Sequence, residues 1–126
     1  MPYIFSEAVW NLKDADETVE LKSEFERCKI VVVEYTLAGA TGTLNIKGKV
    51  HELNAFSNVP YIRQDQADLQ TPAITQLTLS GTGVYRYVIL GYWRKLQLVM
   101  TISAGTITCG VAGSSHGMVF PRVIKT

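Results

Sequence analysis

The chain has 126 residues, 47% of them hydrophobic and 18% charged, with a formal net charge of +1. That length fits one domain, able to bury roughly two-thirds of its unfolded surface without a metal or disulfide staple; the near-neutral balance excludes a global field for nucleic acid or an anionic membrane. So few charges leave little to solvate the outer faces, and partners are expected to cover part of the surface.

The start, MPYIFSEAVW, lacks the charged lead and continuous apolar core of a signal peptide. No apolar run approaches the roughly 18–20 residues of a membrane span, so folding in a cytoplasm is expected and no membrane is. Residues 1–16 read either as an N-terminal arm or as a short helical turn. In the second reading Ser6 caps a turn carrying Val9, Trp10 and Leu12, and Asp14-Ala15-Asp16 stops it. Val19 and Leu21 then alternate inward, and KIVVVEYTL from Lys29 to Leu37 is β-branched enough for a central strand. Gly39-Ala40-Thr41-Gly42 is expected to turn the chain back. Leu44, Ile46, Gly48 and Val50 share one parity against Thr43, Asn45, Lys47, Lys49 and His51, the pattern of a strand with one wet face.

From Asn54 to Thr71 the sequence is irregular, with Pro60 inside it, Pro72 just beyond and a polar centre of Arg63 to Asp68; a loop of that length is usually functional or ordered by a partner. Two strands, Ile74 to Leu79 and Val84 to Leu90, are expected around Gly81-Thr82-Gly83. Leu96, Leu98, Met100 and Ile102 lie on one face opposite Lys95, Gln97, Thr101 and Ser103; after an Ala104-Gly105 turn, Ile107, Cys109 and Val111 continue the apolar face. Residues 113–126 form a C-terminal tail in which a glycine-serine linker leads to Met118, Val119 and Phe120, an apolar patch that must dock on its own domain or on a neighbour. Strands about ten residues apart, with no sustained helical period, imply an all-β fold: an antiparallel β-sandwich or jelly roll of seven or eight strands over residues 17–112.

Little in the chain favours covalent chemistry. Ser114-Ser115-His116 sets a hydroxyl beside an imidazole, yet a glycine-flanked linker cannot hold the geometry that a nucleophile, base and orienting carboxylate require. His51 falls on an outward parity beside Lys49. Cys28 and Cys109 are far apart without CxxC spacing and are expected as free thiols, and the acids at Asp14–Glu17 and at Asp65 and Asp68 lack a metal-site pattern. Gly81-Thr82-Gly83 has no third glycine to cradle a phosphate. No enzyme activity, metal or cofactor is therefore expected. Aromatic residues carry the remaining functional signal. Tyr85 and Tyr87 share a face and read first as core, whereas Tyr92 and Trp93, beside Arg94 and Lys95 at a strand entrance, stand open between a packed corner and a ligand or partner contact.

Gly42 to Val50, the Gly-x-Gly turn before Val84-Tyr85-Arg86-Tyr87-Val88, the run Gly91-Tyr92-Trp93-Arg94-Lys95-Leu96-Gln97-Leu98, and the Ser-Ala-Gly turn into Thr106-Ile107-Thr108 together resemble a small β-sandwich domain of tailed-bacteriophage virion proteins. That family includes capsid decoration (cement) proteins and accessory domains of tails and fibres, and the resemblance spans about residues 17–112. It implies a non-enzymatic virion protein assembled in a host cytoplasm, most simply a decoration protein that binds the major capsid protein or other virion subunits. A homo-oligomer follows, a trimer being preferred at local threefold axes, with no nucleic acid partner. The alternative is a carbohydrate- or receptor-binding module of a tail fibre or adhesin. The expected interface residues are Tyr3, Ile4, Phe5 and Trp10 in the arm, Tyr61, Ile62, Arg63 and Leu69 in the loop, and Met118, Val119 and Phe120 in the tail, each of which could instead pack into the core.

Overall fold

Three long strands form the body of the sheet, and each bends sharply at the same level. A computed structural model describes residues 4–63, 73 and 75–115, Ile4 by its backbone alone. In chain order the elements are β1 (Ile4–Lys13), β2 (Glu17–Glu20), a 3-10 turn (Ser23–Arg27), β3 (Ile30–Lys49), β4 (Ser57–Asn58), β5 (Tyr61–Arg63), β6 (Leu77–Ile89) and β7 (Lys95–Ser114). All pairings are antiparallel, in the order β1-β7-β3-β6-β5, with β2 also on β7 and β4 on β3. The protein is an all-β antiparallel sandwich.

The glycine motifs expected to be turns are bends within continuous strands. The strands expected over 29–37 and 43–50 are one strand, β3 (Ile30–Lys49), which stops short of Val50; the strands foreseen either side of Gly81 merge into β6, and those either side of Gly105 into β7. Between β3 and β6 the register jumps from Leu37↔Gly83 to Ala40↔Gly81, and between β3 and β7 from Ala38↔Thr106 to Thr41↔Ala104 and then, with the extra residue now on β7, from Thr41↔Ala104 to Gly42↔Ile102. Two residues on one strand thus oppose one on its neighbour, the defining count of a β-bulge, which bends a strand and deepens its twist. Each extra residue also switches parity. Val33, Tyr35 and Leu37 point inward before the bend in β3 and Leu44 and Ile46 after it; Leu98, Met100 and Ile102 precede the bend in β7 and Ile107, Cys109 and Val111 follow it. One apolar face is kept throughout, so the sheet creases over on itself and closes that face into a core.

Left-handed backbone makes the crease. Gly39, Gly81 and Gly105 have φ of 58°, 80° and 71°. A Cβ at Gly105 would stand 2.2 Å from the carbonyl oxygen of Gly39, so the strands can meet there only without a side chain. On the outermost track the corresponding bend falls between β1 and β2, which share β7 as partner above and below the crease. Here the positive φ, 51°, belongs to Leu12, a conformation that costs a residue with a Cβ about 1–2 kcal/mol.

Residues 4–13, for which the sequence leaves an arm and a helical turn open, are thus a strand of the main sheet. Bulges between Ala8 and Trp10 and between Trp10 and Lys13 break the period of two, so the alternation that marks a strand is hidden there. Asp14 and Asp16 sit in the β1–β2 turn, where the Asp16 carboxylate accepts the Ile102 amide N–H at 2.8 Å beside the β7 bulge. The beginning of the expected tail, Gly113 and Ser114, completes β7.

The other end of the sandwich is open at the backbone and is plugged by side chains. Phe25 of the 3-10 turn is buried in the core cluster, with Phe5 packed on it edge-to-face at 5.0 Å. Trp93 lies close against Gly48 and Gly91, and its indole N–H donates to the Leu90 carbonyl at 2.7 Å. Cys28 and Cys109 are free thiols. Burial, with a smaller contribution from Glu34, pushes the Cys109 thiol from 9.0 up to about 12.

Candidate interaction surface

Of the side chains that the sequence nominates for an interface, the described ones, Phe5, Trp10, Tyr61, Ile62 and Arg63, pack against the molecule itself. Trp10 is buried, its indole N–H donating to Glu17 at 2.6 Å. Tyr61 and Ile62 are buried in β5 rather than displayed on a loop, because a three-residue ladder to β6 folds them under. Tyr61 packs edge-on to Tyr87 at 5.2 Å and donates its hydroxyl to the Thr75 carbonyl. Arg63 lies 5.0 Å over the Tyr85 ring. Phe5 packs on Phe25, and Ile4 contributes its backbone to β1 opposite Ser114. Tyr3, Leu69, Met118, Val119 and Phe120 lie outside the described residues.

Tyr85 and Tyr87 belong to an aromatic stack with Tyr35, which is 2% exposed and stacks on Tyr87 at 6.0 Å. Burial first, then Tyr87, raises the Tyr35 phenol far above its ordinary range. This stack is core packing and leaves no ring face for a ligand at Tyr35.

Tyr92 is the exception, at 64% exposed. It does not stand alone: Val50 is 53% and Leu53 88% exposed, on the turn that follows β3. Two contacts tie that turn to the β6–β7 loop. The Arg94 amide N–H donates to the Lys49 carbonyl at 2.9 Å, and the Arg94 guanidinium reaches the Glu52 carboxylate at 3.5 Å. Arg94 also pairs with Glu26 at 3.4 Å, and Lys95 with Glu20 and Glu26 at 3.5 and 3.6 Å. Three of the five large hydrophobic residues exposed among the described residues therefore share one pole of the sandwich, within a rim of alternating charges. Apolar surface rimmed by polar groups is the usual mark of a protein contact.

The sequence discloses Tyr92 and Trp93 as aromatics beside cations, but it does not disclose that the turn carrying Val50 and Leu53 is joined to their loop, since only the contacts of Arg94 with Lys49 and Glu52 bring the two segments together. A second concavity, an open groove of about 490 Å³, crosses the outer face of β1, β7, β3 and β6. Its floor is small side chains, Ser6, Ala8 and Ala112 beside Val32; of its three charged groups, Glu34 and Arg86 are paired with each other and Glu7 accepts the Lys22 amide N–H at 3.1 Å. Among the described residues no three histidine, cysteine or acidic side chains gather where they could hold a metal ion.

The geometry defines a class, a creased antiparallel β-sandwich with an apolar pole. No protein-family model matches the sequence and no curated protein matches it. Among solved structures the chain is similar to the crystal structure of the SPBc2 prophage-derived protein YomS, with a TM-score of 0.63 over 91% of this chain and 96% of that one, at 11% identity. At that identity the two share a fold.

Proposed function

We propose that this chain is a non-enzymatic structural protein of a phage virion, a capsid decoration (cement) protein that stabilises the particle by adding contacts between subunits. The observation that carries the reading is the fold it has in common, over nearly the whole of both chains, with a prophage-derived protein. The apolar pole of Val50, Leu53 and Tyr92 supplies the kind of surface such a role needs. Each copy would add a buried contact to the assembled state, and a homotrimer on a local threefold axis would multiply weak contacts into firm attachment. Electron microscopy of purified particles tests it: density for this chain in fixed stoichiometry on the shell, and co-sedimentation with empty capsids, are the expected results. Particles that lack the chain would overturn it.

The exposed Tyr92 ring favours one second reading, a carbohydrate-binding module of a tail fibre, since an open aromatic face beside polar groups can stack on a sugar. A glycan array separates the two: reproducible binding abolished by Tyr92→Ala supports the module, and a blank array with capsid binding supports decoration.

A further inference from the structure

One stretch of the sheet is apolar on both of its faces. In the layer that runs β1-β7-β3-β6-β5, side chains alternate between the core and the outside, and Val31, Val33 and Tyr35 take the core. The outward row of Ile62, Val88, Val32, Ala112 and Ser6 would ordinarily be wet, yet only Ser6 in it is polar, and Ile30 stands in the next row beside Ser114. The other layer shows what a wet outer face is in this chain: its outward rows read Thr78-Thr43-Thr101, then Asn45-Val99, then Lys47-Gln97.

This apolar outer surface is covered. Ile30, Ile62 and Val88 are each at most 8% exposed, and none of them belongs to the core cluster. Among the described residues every strand is part of the sheet and the 3-10 turn plugs its open end, so no described element lies over this face. The burial is that of a single copy, which points to a cover drawn from the rest of the same chain. Residues 1–3 are too short for it: β1 stands four strands from Ile62, about 19 Å at ladder spacing, and three extended residues reach about 10 Å. Residues 64–72 offer one large apolar side chain, Leu69, among polar ones. Residues 116–126 carry Met118, Val119, Phe120, Val123 and Ile124. They follow Ser114, which pairs with Ile30 itself. From there β5 is three strands away, about 14 Å, well inside the roughly 33 Å that ten extended residues span.

We propose that residues 118–124 fold back as a strap across the outer face of their own domain, from Ile30 over Val32 and Val88 to Ile62. The strap buries its apolar side chains and those of the row beneath it together, which neither surface achieves in water by itself. The groove at Ser6, Ala8 and Ala112 flanks its root. Met118, Val119 and Phe120 are then spent within one copy, and the strap shuts this face against other subunits, leaving Val50, Leu53 and Tyr92 as apolar surface open to a partner.

The unaltered full chain in solution provides the test. In nuclear Overhauser spectra the Phe120 ring protons are expected to give cross-peaks to the methyl groups of Ile62 and Val88. A mixture of isotope-labelled and unlabelled chains tells whose tail it is: cross-peaks within one copy are expected, and cross-peaks only between copies would mean an exchanged tail and overturn the strap. Cross-peaks from Leu69 to those methyls in place of Phe120, or none from the tail, would overturn it as well. Phe120→Ser should raise binding of anilinonaphthalene sulfonate, a dye for apolar surface, several-fold while the circular dichroism spectrum is kept; unchanged dye binding on a folded variant counts against the strap.

Discussion

The crease and the open pole close the same core by different means. At the crease the backbone does the work: positive φ angles bend the strands, and the absence of a side chain at Gly105 lets it approach the Gly39 carbonyl at a distance no other residue permits. At the open pole the strands simply end, and Phe25, Trp93 and a lattice of ion pairs around Arg94 and Lys95 cover what the backbone leaves bare. At Gly105 the first solution leaves no room for a side chain. The second is graded, because aromatic packing weakens by degrees and exposed ion pairs contribute little each.

The sharpest way to break this contrast is Gly105→Val, which places a branched side chain on the Gly39 carbonyl at a positive φ; it should cost upwards of about 4 kcal/mol, read as loss of the folded state in urea titration. A drop of less than about 1 kcal/mol would mean the crease is soft. Phe25→Ala at the open pole should cost about 3 kcal/mol in the same titration while the far-ultraviolet spectrum is retained.

Between the poles, Cys109 gives a pH test. Its thiol is raised from 9.0 to about 12 by burial, so its contribution is intact below pH 9 and is lost as pH rises, because the unfolded chain releases the proton first. Stability should fall by at most about 1.4 kcal/mol per pH unit above pH 9 from this group, and urea midpoints should show a shallower fall in Cys109→Ala. Tyr35, raised in the same sense, steepens the fall beyond its ordinary 10.0. The smallest effect belongs to Arg94→Ala, which removes two partly exposed ion pairs; it should cost under about 1 kcal/mol, and the difference from the parent should shrink as salt is added.

The same contrast explains how far the sequence could be read. Alternation along residues 95–111, including its parity switch across Ala104-Gly105, is enough to name an all-β sandwich and to point Cys109 inward. It does not separate a turn from a bulge, since both present glycine among small polar residues, and only the register with a neighbouring strand tells whether the chain reverses or bends. β1 is hidden for a related reason, its two bulges scrambling the period around Trp10. At the surface, Tyr92 and Trp93 could be picked out by residue type. Leu53 could not, because the link between its turn and theirs depends on Arg94 bridging two loops some forty residues apart.

The crease also has a mechanical consequence. In a sandwich whose layers are separate sheets, a sideways load can slide one layer over the other by exchanging apolar contacts. Here β3, β6 and β7 each run through both layers, so any such shear pulls directly on covalent chain and on rows of ladder bonds strained together. The slab should yield late and all at once.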